Sequence, residues 1–252
     1  MAEHVYSSGF YDYIDAGSSA SAAVVTRLIL GEMRVDSLLD VGAGHGAWAA
    51  AWLAAGVRDV LAMDGDYVAR DRLAIPPQLF VPHDLTAAFS LGRKFDLVQS
   101  LEVAEHLPEH LADRFVDDLT AHGDVILFSA AVPHQGGEHH INEQPPEYWR
   151  RRFAVRGYAA YDWLRPQLRR EKRVQRWYRF NSVIYANEAG AARLSPAMRA
   201  TRLDDRQRLR ERGNLGWYAR RSLVWLLPPK LVEPVAMANA WIENRIRRTA
   251  RG

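Results

Sequence analysis

Two carboxylates and one imidazole stand close together in the middle of the chain, at Glu102, Glu105 and His106. Their spacing is i, i+3 and i+4, so a helix over this segment would place all three on one face. Converging carboxylates are costly unless a cation joins them. A divalent metal would do so, and it would also lower the pKa of a bound alcohol and orient it for attack. The spacing therefore favours metal-assisted chemistry on a hydroxyl group.

Further imidazoles lie within residues 134–144, where His139 and His140 are followed by Glu143. The ligand types leave the identity of a metal open, because carboxylates favour Mg or Mn, whereas two imidazoles favour Mn, Fe, Zn or Co. A second interpretation needs no metal. In it, His139 or His140 is the catalytic general base, since imidazole titrates near the working pH.

A glycine-rich turn near residue 40 indicates what the protein holds beside this chemistry. Residues 37–41 read as a short buried strand, and residues 47–55 read as an alanine-rich helix. Between them, alternate glycines let the backbone pass close to a ligand, at Gly42, Gly44 and Gly46. The spacing G-x-G-x-G differs from the G-x-G-x-x-G that holds a pyrophosphate. With Asp40 just before it, the turn favours a cofactor that is uncharged at the turn and cationic nearby.

More apolar segments read as strands and alternate with helical stretches, which predicts an α/β fold. These segments are residues 60–64, 79–81, 95–100, 125–129 and 177–186. The first of them ends in Asp64. A carboxylate at the tip of this strand accepts hydrogen bonds from both ribose hydroxyls in nucleotide-binding α/β folds.

In this order, the turn and the acids resemble motif I and the following strands of the class I S-adenosylmethionine-dependent methyltransferases, over roughly residues 30–190. The resemblance implies a doubly wound sheet of seven mostly parallel strands in the order 3-2-1-4-5-7-6, with residues 177–186 as an antiparallel strand. It also implies S-adenosylmethionine as the cofactor. Asp64 is then expected at the ribose, while the Asp84 carboxylate and the Leu85 backbone N–H are expected at the adenine. The residues expected around the turn are Asp40, Gly42, Ala43 and Gly44. For Asp84, a helix N-cap or a turn is the alternative role.

The segment from Glu102 to His106 resembles two metal-dependent groups of methyltransferases that carry a Glu-x-x-Glu-His motif. One group methylates the 2′-hydroxyl at the 3′ end of small RNAs, and the other acts in ubiquinone biosynthesis. In the RNA group, the motif and a later histidine bind a divalent cation, and a glutamate follows that histidine by three residues. The resemblance implies a metal site made by Glu102, Glu105, His106 and His140, with His139 as the competing choice for the last position. The closer overall resemblance, over residues 140–149, is to bacterial small-molecule and sugar methyltransferases.

These resemblances imply O-methylation of a hydroxyl group on a sugar, polyol or phenolic metabolite, with N-methylation left open if no metal binds. The alternative is 2′-O-methylation of RNA 3′ ends, which we rank lower because residues 1–190 are acidic and show no evident basic groove. A third alternative is a non-catalytic, cofactor-binding partner protein. The presence of Glu102, His106 and His140 argues against it.

Charge divides the chain near residue 190. Residues 191–252 carry 14 Lys and Arg against 5 Asp and Glu, a net of +9, whereas residues 1–190 carry a net of −6. We therefore expect a methyltransferase domain over residues 1–190 and a basic helical extension over residues 191–252, with a charged helix at residues 199–212. A basic segment with Trp and Leu suits contact with an anionic membrane surface, nucleic acid or a second subunit.

The composition excludes several classes of protein. The chain has no cysteine, which excludes a disulfide framework and thiolate metal sites. The N-terminal residues lack the basic and apolar regions of a secretion signal, and no segment has the length of a membrane span. We expect a cytoplasmic protein, placed at the inner membrane surface if the basic extension binds lipid.

Overall fold

The computed structural model describes residues 8–204 and 206–226. The strands of this part are β1 (Ser37–Val41), β2 (Asp59–Asp64), β3 (Phe80–Pro82), β4 (Leu97–Leu101), β5 (Val125–Ser129), β6 (Ala159–Tyr161) and β7 (Val183–Ala186). The helices are α1 (Ser8–Leu30), α2 (Ala47–Ala54), α3 (Ala112–His122), α4 (Pro146–Ala154), α5 (Leu164–Leu168), α6 (Arg176–Asn181), α7 (Glu188–Arg193), α8 (Pro196–Arg199) and α9 (Leu215–Leu226). Short 3-10 turns lie at Ala104–His106 and Glu109–Leu111, among others.

The strands form a single seven-stranded sheet in the order β3-β2-β1-β4-β5-β7-β6. All neighbours are parallel except β7, which runs antiparallel to both β5 and β6. This order confirms the expected topology. Because β1 lies between β2 and β4, the strand order reverses there, and the carboxyl ends of these three strands meet at one edge where α/β folds bind their ligands.

Alternate side chains of the central strands face two separate layers of helices. Leu38 and Leu97 pack in the layer that contains α1 and α2. Leu39 and Val98 pack in the opposite layer, with α3 and α4. Both layers are continuous apolar cores, so the sheet is held rigidly and its carboxyl edge is a fixed platform for side chains.

Part of the segment predicted as the last strand is helical. Residues 176–181 form α6, and only residues 183–186 form β7. The run of aromatic residues suggested a strand, but Tyr178 in α6 instead packs edge-on against Trp48, with ring centroids 4.9 Å apart. A tertiary contact has therefore overridden the local propensity for a strand.

The predicted charged helix at residues 199–212 is also wrong, because α8 ends at Arg199 and residues 200–204 and 206–212 are in turns and irregular loop. Its apolar residues, Leu203 and Leu209, are six positions apart and cannot form one helical face. Instead, the Leu203 N–H donates to the Ala160 carbonyl at 2.8 Å, which covers the edge strand β6. Residues 227–252 lie outside the described part of the chain, and the boundary at residue 190 stays a prediction.

Helices near the end of the described chain pack on the sheet domain. Leu194, Met198, Leu209 and Trp217 are all buried. Trp217, at the start of α9, contacts Val132 and Phe180. Among the described residues, none of the helices has both the length and the apolar character that crossing a bilayer requires.

Candidate active site

The turn after β1 has the backbone that its glycines predicted. Gly42, Gly44 and Gly46 have φ angles of 80°, 54° and 81°, which residues other than glycine rarely adopt. A Cβ atom on Gly42 would lie 2.2 Å from Cγ2 of Val103, so this position has no room for a side chain. At Gly44, a Cβ atom would meet nothing within 4 Å. The turn is therefore closed against the protein at Gly42 and open at Gly44, where a ligand can approach the backbone.

The Asp64 carboxylate lies at the end of β2 and faces this turn. Its Oδ2 accepts a hydrogen bond from the Gly44 N–H at 2.6 Å, and its Oδ1 accepts from the Gly65 N–H at 2.7 Å and the Tyr67 hydroxyl at 2.5 Å. These three donors fix the carboxylate beside the open part of the turn. Sequence reasoning found Asp64 but missed Tyr67, three residues beyond the strand.

Asp40 provides a second carboxylate behind the turn. Its side chain is buried, and Oδ2 has no hydrogen-bond partner among the described residues. Burial raises the pKa of Asp40 to about 7, the amide of Gln99 lowers it in part, and the charge of Asp64 raises it further. A buried carboxylate without a full set of partners is suited to a cationic ligand. Asp40, Asp64 and the open turn at Gly44 together fit the cofactor that the fold family implies.

The raised pKa of Asp40 predicts that binding of a cationic cofactor depends on pH. Between about pH 6 and pH 7.5 the carboxylate becomes ionised, so the affinity for S-adenosylmethionine should rise roughly fivefold to tenfold. Over the same range the unliganded protein should lose stability, because a folded-state pKa above the unfolded value removes stability as the pH rises through it. Calorimetric titrations and thermal unfolding at both pH values would measure these effects. In Asp40→Asn both pH dependences should disappear, and an unchanged slope would contradict this role.

Asp84 and Leu85 follow β3, as expected, and the Asp84 side chain makes a local turn contact. It is exposed, and its Oδ1 accepts hydrogen bonds from the Thr86 N–H at 2.8 Å and the Thr86 hydroxyl at 2.7 Å, which lower the pKa of Asp84. This is the turn role that was the alternative for this residue. Leu85 is buried, and its carbonyl accepts from Arg114 at 3.1 Å. The role of both residues at the adenine stays a prediction.

Glu102 lies directly after β4 and does not belong to a helix. Its φ angle is 57°, and its N–H donates to the Ser129 carbonyl of the neighbouring strand at 3.0 Å. The expectation of one shared helical face is therefore wrong, because a left-handed residue at the strand end precedes a 3-10 turn. Its carboxylate accepts hydrogen bonds from Gln135 Nε2 at 2.7 Å and Asn181 Nδ2 at 3.2 Å. The two amides were missed because they lie 33 and 79 residues away along the chain.

Glu105, His106 and His140 form a compact cluster beside Glu102. One ligand atom from each of the three lies within 4.8 Å of the others. Glu105 is fully buried, and neither oxygen accepts a hydrogen bond of good geometry among the described residues, but the backbone N–H groups of Glu105 and Ala131 lie near it and lower its pKa in part. Burial raises the pKa of Glu105 well above its usual value, and the charge of Glu102 raises it further. The structure thus brings three of the four expected metal ligands close together. The carboxylate of the fourth, Glu102, accepts hydrogen bonds from Gln135 and Asn181 instead.

The His140 imidazole is oriented by its neighbours. Nδ1 lies 2.9 Å from Glu143 Oε1, while Nε2 lies 3.9 Å from Glu105 Oε1. Burial raises the pKa of Glu143, but the hydrogen bond and charge of His140 outweigh this and lower it overall. Donation from Nδ1 to Glu143 would leave a lone pair on Nε2, the ring nitrogen that lies 3.9 Å from Glu105 Oε1. Gly137 makes room for this ring, because a Cβ atom there would lie 2.1 Å from Nε2.

His139 is placed less favourably for chemistry. It has a φ angle of 55°, its imidazole is half exposed, and its Nε2 lies 3.9 Å from Glu138 Oε1. Its contact with the cluster is through its backbone, since its carbonyl lies 3.3 Å from Nδ1 of His106. Of the two adjacent histidines, His140 is the one whose ring reaches Glu105.

Comparison with known proteins shows which family model and which solved structures this chain resembles. Residues 17–131 match the family model Methyltransf_23, described as a methyltransferase domain. A comparison with curated protein sequences gave no match. An O-methyltransferase family protein from Burkholderia thailandensis is 15% identical, with a TM-score of 0.55, and the match covers 71% of this chain and 58% of that one. The small RNA methyltransferase HEN1 is also 15% identical, with a TM-score of 0.50 and coverage of 69% and 25%.

A further similar structure is DesVI of Streptomyces venezuelae, at 22% identity, a TM-score of 0.41 and coverage of 51% of this chain and 58% of that one. The chain thus spans less than two thirds of the length of these three proteins. Such low identities show the fold alone. The matched methyltransferase domain and the strand order show the fold of the class I S-adenosylmethionine-dependent methyltransferases.

Proposed function

We propose that this protein transfers a methyl group from S-adenosylmethionine to a hydroxyl group of a small metabolite or sugar, and that a divalent metal assists the transfer. The observation that supports the proposal most directly is the Glu105 carboxylate, which is fully buried, accepts no side-chain hydrogen bond from the described residues, and lies beside two imidazoles. A buried carboxylate in such surroundings is costly unless a cation joins it. Carboxylate oxygens and imidazole nitrogens are also ligands that Mn and related divalent ions accept.

The residues around the glycine turn would hold the cofactor. Asp64 would accept hydrogen bonds from ribose hydroxyls, and Asp40 would offer a cationic group its Oδ2, which has no hydrogen-bond partner among the described residues. Ligand approach is open at Gly44. When bound, S-adenosylmethionine supplies an activated methyl group on a positively charged sulfur.

The cluster beside β4 would hold and activate the acceptor. Glu105, His106 and His140 would be the ligands of a divalent ion, which would lower the pKa of an acceptor hydroxyl. Glu143 would hold the His140 tautomer that leaves a lone pair on Nε2, which lies 3.9 Å from Glu105 Oε1. Glu102 is held by two amide groups next to the cluster, where its carboxylate can accept a hydrogen bond from the acceptor. Without a metal, His140 would be the general base, because its Nε2 can take the proton of the hydroxyl.

A methyl-transfer assay with radiolabelled cofactor would test this proposal. The acceptors would be phenols, polyols, sugars, amines, and RNA oligonucleotides with and without a terminal diol, each tested with added Mn or Mg and after treatment with a strong chelator. We expect transfer to a hydroxylated small molecule that the chelator abolishes and added metal restores. Preference for RNA with a terminal diol would favour the RNA alternative, and transfer to amines would overturn O-methylation. Full activity after chelation would overturn the role of the metal and leave His140 as the base.

A further inference from the structure

The exposed face of α9 is apolar. Leu215, Leu223, Trp225 and Leu226 are 65–89% exposed, and Tyr218 is 42% exposed. Trp217, on the opposite side of the same helix, is fully buried. Large apolar side chains scattered singly on a surface are ordinary, but five on one short helix form a patch that calls for a partner.

The arrangement of the residues around α9 gives this patch sharp borders. At 100° per residue, the five exposed side chains fall within an arc of roughly 160°, which otherwise holds only Ala219 and Ser222. Arg220 and Arg221 lie outside that arc, on either side of Trp217. The Arg221 guanidinium donates to the Pro133 carbonyl and to Glu211. No charged residue of α9 therefore lies within the apolar face, and the arginines flank the side that packs on the protein.

Charge favours one class of partner for this face. Residues 206–226 carry six Arg and one Glu, whereas residues 1–190 carry a net charge of −6. A second copy of the chain that paired α9 with α9 would bring two strongly basic segments together, which is unfavourable. An anionic lipid surface suits both the apolar face of α9 and the positive charge of residues 206–226, because it accepts apolar side chains and attracts basic ones. It would also repel the acidic remainder of the domain, which orients the molecule with α9 towards the lipid.

We propose that the apolar face of α9 docks on an anionic membrane surface. The helix would lie in the plane of the interface, with its leucines at the acyl boundary and Tyr218 and Trp225 at the level of the headgroups. It is fastened to the loop after β5 that carries His140, since Trp217 packs on Val132 and Arg221 donates to the Pro133 carbonyl. Docking would therefore bring that loop to the membrane. This proposal does not depend on the identity of the acceptor.

Vesicle binding of the full-length protein would test the proposal. We expect co-sedimentation with vesicles of phosphatidylcholine and phosphatidylglycerol, weak binding to phosphatidylcholine alone, and weaker binding at high salt. The double variant Leu223→Asp/Trp225→Asp should lower the affinity for the anionic vesicles by roughly tenfold or more, because it removes two apolar side chains and adds two negative charges. Val155→Asp is the matched control, since Val155 is 79% exposed outside this helix, and it should bind as the unaltered protein does.

Three outcomes would overturn the proposal. The first is that the unaltered protein binds neither kind of vesicle. The second is that the double variant still binds with full affinity, which would place any lipid contact elsewhere in the chain. The third is that light scattering shows a dimer that the double variant dissolves, while no vesicle binding is seen, which would assign the face to a second copy. Thermal unfolding of each variant would verify that the domain remains folded.

Discussion

Replacement of Asp64 by alanine should weaken the binding of S-adenosylmethionine by more than about tenfold, because the ribose would lose a charge-assisted pair of hydrogen bonds. The loss has a second cause within the protein. Gly44 N–H donates to this carboxylate at 2.6 Å, so the variant also removes a contact that holds the glycine turn. Calorimetric titration with the cofactor would measure the change.

Asp66→Ala is the matched control for this experiment. Asp66 is exposed two residues further along the chain, and its loss should leave the affinity within about twofold, since isolated surface substitutions have small effects. Thermal unfolding would verify that Asp64→Ala is folded. If the folded variant binds the cofactor with unchanged affinity, Asp64 does not belong to the cofactor site.

Replacement of Glu105 by glutamine should lower methyl transfer by about a hundredfold or more, because an amide is a far weaker metal ligand than a carboxylate. The same change should leave the metal-free protein as stable or more stable. The reason is that it removes a buried acid whose charged form accepts no side-chain hydrogen bond from the described residues and is repelled by Glu102. Activity assays and metal analysis would measure the loss of methyl transfer, and thermal unfolding after chelation would measure the unchanged or raised stability.

Two companion variants sharpen this test. Gly137→Ala keeps all the proposed ligand residues but forces the His140 ring to move, so it should also lower metal content and activity. His110→Ala is the control, because His110 is exposed on the next 3-10 turn and should have no effect. A Glu105→Gln protein with full metal content and full activity would contradict the assignment. So would a parallel loss of stability and activity, which would indicate a purely structural role.

The sequence alone was sufficient to predict the features that depend on residues close together in the chain. Strand β1, the turn at Gly42 and helix α2 follow directly from apolar runs interrupted by glycine, and the strand order followed from the family resemblance. The position of Asp64 at a strand end needed only local pattern as well. Such features can be predicted because all the residues that determine them lie in one short segment.

The parts that sequence reasoning missed depend on distant contacts. The spacing of Glu102, Glu105 and His106 is the same in a helix and in a strand end followed by a 3-10 turn, so it could not show that Glu102 points towards Gln135 and Asn181. The choice between His139 and His140 was likewise open. It depends on which ring can lie against Gly137, and only the folded loop determines that.

The contact between Gly42 and Val103 has a mechanical consequence. The side chain of Val103 occupies the space that a Cβ atom on Gly42 would need. Val103 is also the residue that directly follows Glu102 in the chain. The two backbones on either side of this contact therefore cannot slide past each other independently. Under the proposed function, the methyl donor would bind beside the turn at Gly42 and the acceptor beside Glu102, so this contact would hold the two reactants in register. A bulkier residue at either position would then misalign them even if both were still bound.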